Sequence, residues 1–285
     1  MCLEGFKTIA ALGRRTKFIM KRISNSKLMA FQFAAFLMAA PMLNAQTPEE
    51  KGLEIAKEVD LRDTGFGDTT ADMEMLLQNR HGDTSSRKMS MKSLEVDDDG
   101  DKSLISFDFP RDVKGTSFLS FTHKVGQDDQ WLYLPALKRV KRISSNNKSG
   151  PFVGSEFAYE DLSSQEVEKY TYKYIEDTEV DGVEHWLIER YPEDPKSGYT
   201  RQLVWIDKGR HIVTKMDFYD RKNSLLKTLE FEGYQQYLEK YWRADRMVMT
   251  NHQTGKKTDL VWSNYVFKNG YTDRDFDQRT LTNSR

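Results

Sequence analysis

The sequence predicts a mainly β protein with a few helices, its strands forming a strongly curved antiparallel sheet or barrel. Three observations predict this. After residue 67 apolar and polar side chains alternate with a period of two. Turn sequences such as DDDGD, VDG, DKGR, DRKNS and QTGKK separate most of the alternating runs. Around a dozen such runs follow one another, and sheets of that width rarely stay flat. Strand spacing alone also fits a sandwich. No period of 20–50 residues repeats with similar side chains, which argues against solenoids and propellers.

In chain order, Lys27 precedes the apolar run Leu28–Ala40, then Pro41 and LNAQ. Charged, greasy and small residues in that order read as a secretory signal peptide, here expected to be cleaved after Ala45. The run is shorter than the roughly 20 residues of a spanning helix. Met20, followed by Lys21 and Arg22, is an alternative start. Residues 1–45 are thus a leader, and residues 46–285 a single domain. Residues 48–60, PEEKGLEIAKEVD, place Leu53, Ile55, Ala56 and Val59 at helical spacing with acids in the first turn. Three strands follow as a meander, carrying Met73, Met75 and Leu77, then Met89 and Met91, then Ile105, Phe107 and Phe109. Alternation continues from TSFLSFTHK to KTDLVWSNYVF. DLSSQEVEK (161–169) and DRDFDQRTL (273–281) break the period and read as short helices lying against the sheet. SSNNKSGPFVGSE (144–156) reads as an exposed, mobile connection.

Residues 1–45 hold seven of the 43 Lys and Arg and one of the 44 Asp and Glu, leaving the remainder with a net charge of −7. An acidic chain is poorly suited to a nucleic-acid backbone, so no nucleic-acid partner is expected. The one cysteine, Cys2, lies in the leader, so the exported chain would depend on its core rather than on disulfides.

The search for chemistry returns little. The five histidines, His81, His123, His185, His211 and His252, have no metal-ligand spacing, and no metal or other cofactor is expected. Asp97, Asp99, Asp101 and Asp108 imitate a calcium loop, but the glycine is misplaced and the flank reads as strand, so an Asp-rich hairpin turn is the better reading. Ser155 in VGSEF lacks the glycine pattern of a nucleophile elbow. NKSGPFVGS has the letters of a phosphate loop in the wrong order. Glu156, Glu160 and Asp161 are not promoted to an acid and base on number alone. No catalytic residue is assigned, and the chain is not expected to be an enzyme.

What remains is an apolar face rich in methionine, a flexible side chain that fills irregular space and tolerates varied ligands but also serves as plain core. A hydrophobic cavity would be lined by Met73, Met75, Leu77, Met89, Met91, Ile105, Phe107 and Phe109. The stretch QWLYLPALKRVKRISS (130–145) adds Trp131 and Tyr133, with Pro135 and Ala136 turning QWLYL into LKRVKRI. Lys138, Arg139, Lys141 and Arg142 then crowd the return strand. They either guard a sheet edge or meet anionic headgroups or an acidic partner.

DLRDTGFGD, DDQWLYLPALKRVKRISSNNKSGPFVGSEFAYEDL, EVEKYTY, FYDRK with LLKTL, and NHQTGK together resemble the outer-membrane lipoprotein-sorting proteins, relatives of the periplasmic carriers LolA and LolB. The similarity spans about residues 48–285. The resemblance implies a half-open antiparallel β-barrel with helices covering its concave side, holding lipid or lipoprotein acyl chains and shuttling them through the periplasm. It also implies an RND-type inner-membrane exporter as partner, with an outer-membrane acceptor beyond. Carriers of this type pin their lid helix through an arginine, a role assigned to no residue here. The alternative is a non-enzymatic subunit docking on such an exporter without cargo.

Overall fold

The computed structural model describes residues 46–283. The leader expected over 1–45, its cleavage after Ala45 and the alternative start at Met20 lie outside the described residues. Helix α1 spans Pro48–Asp63. Thr47 caps it, its hydroxyl accepting from the Glu50 amide (3.1 Å) while Glu50 accepts from the Thr47 amide (2.9 Å). This reciprocal box satisfies donors that a helix start otherwise leaves free.

The strands are β1 (Asp68–Gln78), β2 (Thr84–Leu94), β3 (Lys102–Phe109), β4 (Ser117–Phe121), β5 (Asp129–Leu134), β6 (Arg139–Ile143), β7 (Tyr170–Val180) and β8 (Val183–Pro192). They continue as β9 (Tyr199–Asp207), β10 (Ile212–Asp220), β11 (Leu225–Glu232), β12 (Gln235–Tyr237), β13 (Tyr241–Arg243), β14 (Arg246–Asn251) and β15 (Lys257–Phe267). Thirteen form one sheet in the order β6-β5-β4-β3-β2-β1-β15-β14-β11-β10-β9-β8-β7, while β12 and β13 pair as a separate hairpin. Every pairing is antiparallel.

The sheet does not close, yet it curls strongly. Laid flat, β5 and β8 would stand ten strand spacings apart, about 48 Å at roughly 4.8 Å each. Instead Gln130 of β5 donates to Ser163 (2.9 Å) and Arg190 of β8 to Gln165 (2.8 Å), two acceptors separated by a single residue. Lys169, beside β7, also forms an ion pair with Asp128, beside β5. Only a sheet rolled on itself brings these elements together.

The inner face carries one continuous apolar core running from Ile143 near one edge through Met75, Met249 and Val204 to Tyr172 at the other. What covers that face differs from the expected helices. Where a helix was expected over residues 161–169, the chain instead has 3-10 turns at Tyr159–Leu162 and Val167–Lys169. The C-terminal segment likewise has a 3-10 turn, Asp273–Phe276, and a one-turn helix α2, Thr280–Asn283. It packs on the outer face, where Phe276 and Leu281 bury against Leu104, Leu119 and Trp131.

Residues 144–156, expected to be exposed and mobile, are instead the start of a plug inserted into the curled sheet. Phe152 and Phe157 are buried there, Phe152 against Phe107 and Phe118. The polar composition of the loop serves its turns, while Phe152 and the adjoining Phe157 supply the apolar area that anchors it. The amide of Phe152 donates to the carbonyl of Phe157 (2.7 Å), closing a tight loop. Val153 inside it has φ 45° and ψ 40°, a left-handed conformation costly for a β-branched residue. Its carbonyl accepts from Arg87 of β2.

At the β7 end the cover is α1. Gly52 lies so close to β7 that an added Cβ would stand 2.8 Å from the Lys173 carbonyl carbon and the Tyr174 amide nitrogen. Ile55 enters the core beside it.

Candidate functional site

A cavity of about 380 Å³ lies between α1 and the inner face of β7–β10, a size within the usual range for small-molecule sites. Ala56 and Val59 form its roof, and Tyr172, Ile188, Val204, Ile206 and Val213 its floor. The alternation of the strands produces that floor, since Ile188, Val204 and Ile206 occupy inward positions of β8 and β9.

The mouth is acidic. Asp60 and Asp63 reach it from the last turn of α1, Glu95 to Asp101 from the β2–β3 connection, and Glu166 from the plug. Gly100 permits this closeness, because a Cβ there would meet the Thr122 backbone at 2.7 Å and Glu166 Oε1 at 2.9 Å. Burial pushes the Glu166 carboxyl up to about 7, with Asp101 and Asp60 adding to the effect. Burial likewise raises Asp101 to about 6, helped by Glu95. Asp60 moves in the same direction, through desolvation and Glu168. Asp99 goes the other way, held at about 2 by a hydrogen bond with His123, Nδ1 to Oδ2 at 2.6 Å. The Asp-rich hairpin turn read from VDDDGDK is therefore present, and part of it borders a cavity.

The inner face also carries polar side chains that grip the plug. Lys227 of β11, itself buried, donates to Asp161 Oδ2 (2.6 Å) and to the Glu156 carbonyl (3.0 Å). Asp161 also accepts from the Tyr199 hydroxyl (2.8 Å) and the Ala158 amide (2.6 Å). Gln130 donates to the Tyr159 carbonyl (3.1 Å), and Asn251 to Glu156 (2.7 Å). Sequence reasoning missed Lys227. The available signal was a lone lysine at an inward position of the alternating run LLKTLEFE.

The residues expected to line a cavity divide into three groups. Met73, Met75, Met89, Ile105 and Phe107 are buried together on the inner face, with Leu77 and Met91 packed at its margin. They lie under the plug rather than in the open cavity, and none borders the space beneath α1. Phe109, at the end of β3, is 52% exposed. Trp131 and Tyr133 share a face as expected, but it is the outer one. Leu132 and Gln130, one residue out of phase, take the inner positions on β5. The expectation that Trp131 and Tyr133 join the methionine face is thus corrected by strand parity.

Of the basic ribbon, Arg139, Lys141 and Arg142 are exposed on β6, an edge strand, and Arg142 is paired with Asp129. Lys138 is not on the strand. It occupies the left-handed position (φ 47°) that ends the turn Pro135–Leu137. The hairpin itself is present, with Trp131 opposite Arg142 and Tyr133 opposite Val140.

Comparison with solved structures places this geometry. A domain described as an outer-membrane lipoprotein-sorting protein, from Vibrio parahaemolyticus, is 58% identical over 82% of this chain and 99% of its own, with a TM-score of 0.81. The chain belongs to the outer-membrane lipoprotein-sorting protein family. A DUF1329 family protein from Desulfovibrio piger is 30% identical over 82% of this chain and 99% of its own (TM-score 0.78). A LolA-superfamily protein from Nitrosomonas europaea, 17% identical over 80% of this chain and 98% of its own (TM-score 0.65), shares the fold. A family model described as an uncharacterized protein matches residues 99–283. No curated protein matches the chain. Among the described residues no helix is long and apolar enough to cross a membrane.

Proposed function

We propose that this lipoprotein-sorting protein is an exported periplasmic carrier, binding a lipid or lipoprotein acyl chain without catalysis and delivering it to a membrane partner. The observation that carries the reading is the cavity under α1, apolar in roof and floor and open at one end. A chain entering it leaves water at roughly 0.8 kcal/mol per methylene, so a short length already supplies useful affinity. Beneath the plug the same face continues to Met75 and Met89. Displacing residues 144–169 would lengthen the cavity over the methionines, whose flexible side chains suit cargo of variable shape. That is the role proposed for the methionine face.

Release from such a site needs a partner that moves the cover, and an RND-type exporter with an outer-membrane acceptor would supply the two ends of the route. The exposed cations of β6 favour a second reading, a docking subunit without cargo, because an unpaired edge strand is itself a template for association. The test is extraction of lipids from protein purified out of its native periplasm, identified by mass spectrometry beside an Ala56→Trp variant. The indole would occupy the cavity, so the carrier reading expects bound lipid in the parent and its loss in the variant. Lipid absent from both, with retained exporter binding, would favour the docking subunit.

A further inference from the structure

The mouth of the cavity has an imbalance that its apolar interior does not require. Glu166 is 8% exposed and borders the cavity, yet its carboxylate has no hydrogen-bond donor and no cation within ion-pair distance among the described residues. The residue is thus mostly withdrawn from water, while its oxygens keep contact with the cavity mouth and no protein donor completes them.

The cations nearby are already engaged. Lys124 reaches the Asp97 carbonyl at 3.5 Å. Arg190 donates to Gln202 (2.5 Å) and Gln165 (2.8 Å) and lies over the Tyr170 ring. Arg243 is paired with Asp63. Glu95 differs from Glu166, since the amides of Gly65 (2.6 Å) and Gly67 (2.7 Å) satisfy its oxygens. Asp99 is likewise satisfied, by His123 and by the Lys124 amide (2.9 Å). The carboxylate left open is therefore at the inner end of the mouth, beside Asp101 and Asp60, where the apolar floor begins.

We propose that this site receives the ammonium head of a cationic amphiphile, with its hydrocarbon chain in the cavity under α1 and its charge against Glu166, Asp101 and Asp60. The inference rests on the carrier reading and adds the class of headgroup. A carboxylate or phosphate head would meet these acids with only Lys124 and Arg190 to offset them. An ammonium head replaces the missing donors of Glu166 and leaves the chain to bury itself. Protonation weakens the site, so binding rises with pH as the carboxyls of Asp101 and Glu166 ionise.

The charged groups facing Glu166 are Asp60 and Asp63 on α1, Glu95, Asp97, Asp99 and Asp101 on the β2–β3 connection, Lys124 after β4, Glu168 on the plug and Arg190 on β8. Acids outnumber the two cations, Lys124 and Arg190, which fixes the sign of the pH dependence.

The experiment is isothermal titration of the purified protein with decylamine, decanoate and decyl maltoside, each below its micelle concentration, at pH 8 and pH 5. Decylamine should bind at least about tenfold more tightly than the other two at pH 8, a preference that shrinks at pH 5. Glu166→Gln should reduce the decylamine affinity by about tenfold and leave decyl maltoside unchanged. Asp101→Asn provides a second variant at the same mouth and should act in the same direction. Equal affinities for the three chains, or an unaltered preference in both variants, would overturn the headgroup assignment while leaving the carrier reading in place. Failure of all three chains to bind would remove the carrier reading and this inference with it.

Discussion

Lys227 is the side chain whose replacement should most clearly show how the plug is held. Lys227→Met keeps an unbranched apolar side chain at the site and removes only its end, the ammonium that lies 5.1 and 5.2 Å from the ring centroids of Tyr199 and Phe218. It removes the charge opposite Asp161, at a site where both side chains are nearly fully buried. Breaking one side of such a pair costs about 3–5 kcal/mol, because the partner stays charged in a poorly solvated place. Asp161 keeps two donors, the Tyr199 hydroxyl and the Ala158 amide, which places the loss near the low end, about 3 kcal/mol. For a domain of this size that corresponds to a fall in Tm of about 6–12 °C. Thermal unfolding followed by circular dichroism measures the loss, and binding of an environment-sensitive apolar dye reports whether the plug has loosened. Adding Asp161→Asn should recover most of the stability, since an uncharged pair carries far less desolvation cost. A single variant within about 0.5 kcal/mol of the parent, the range of ordinary surface changes, would refute the argument that this ion pair holds the plug.

Gly52→Ala should destabilise by about 1–3 kcal/mol through the clash with the β7 backbone, with faster amide exchange confined to α1 in hydrogen-exchange mass spectrometry. Glu166 and Asp101 have native carboxyl pKa values above their unfolded ones, so the native state binds the extra protons and its stability falls as pH rises from about 4.5 through about 7. Denaturant midpoints across that range should show the decline, and Glu166→Gln should flatten it; a slope unchanged in the variant would place the titration elsewhere. Reversing Lys141 and Arg142 to Glu should weaken binding to anionic vesicles and reduce its salt dependence with Tm unchanged, if the ribbon is a docking surface. Unaltered binding with increased aggregation would make it an edge guard alone.

The fold was legible where a period repeats, and the site was not, because its parts come from elements that have none. Met73, Met75, Met89, Ile105 and Phe107 occupy alternate positions and duly share the inner face. Alternation alone cannot say which face is inner once both are covered. On β5 both parities carry buried residues, Gln130 and Leu132 facing the plug and Trp131 facing the C-terminal segment. An aromatic stripe thus looked like the cavity wall while a glutamine held the true inward position. The plug was misread for a related reason. Its serines, asparagines and glycines have the composition of an exposed loop, and the polar groups that fix it come from strands distant in sequence, Lys227 to Asp161 and Arg87 to Val153. Such pairings depend on how far the sheet curls, which no local pattern specifies. The cavity depends on the same curl, since Ala56 reaches Val213 across it and Glu166 meets Asp101 beside it. The curl that brings the plug over the methionines therefore also leaves the space beneath α1 and sets an unpartnered carboxylate at its mouth, so a variant that loosens the plug should alter ligand binding at both places together.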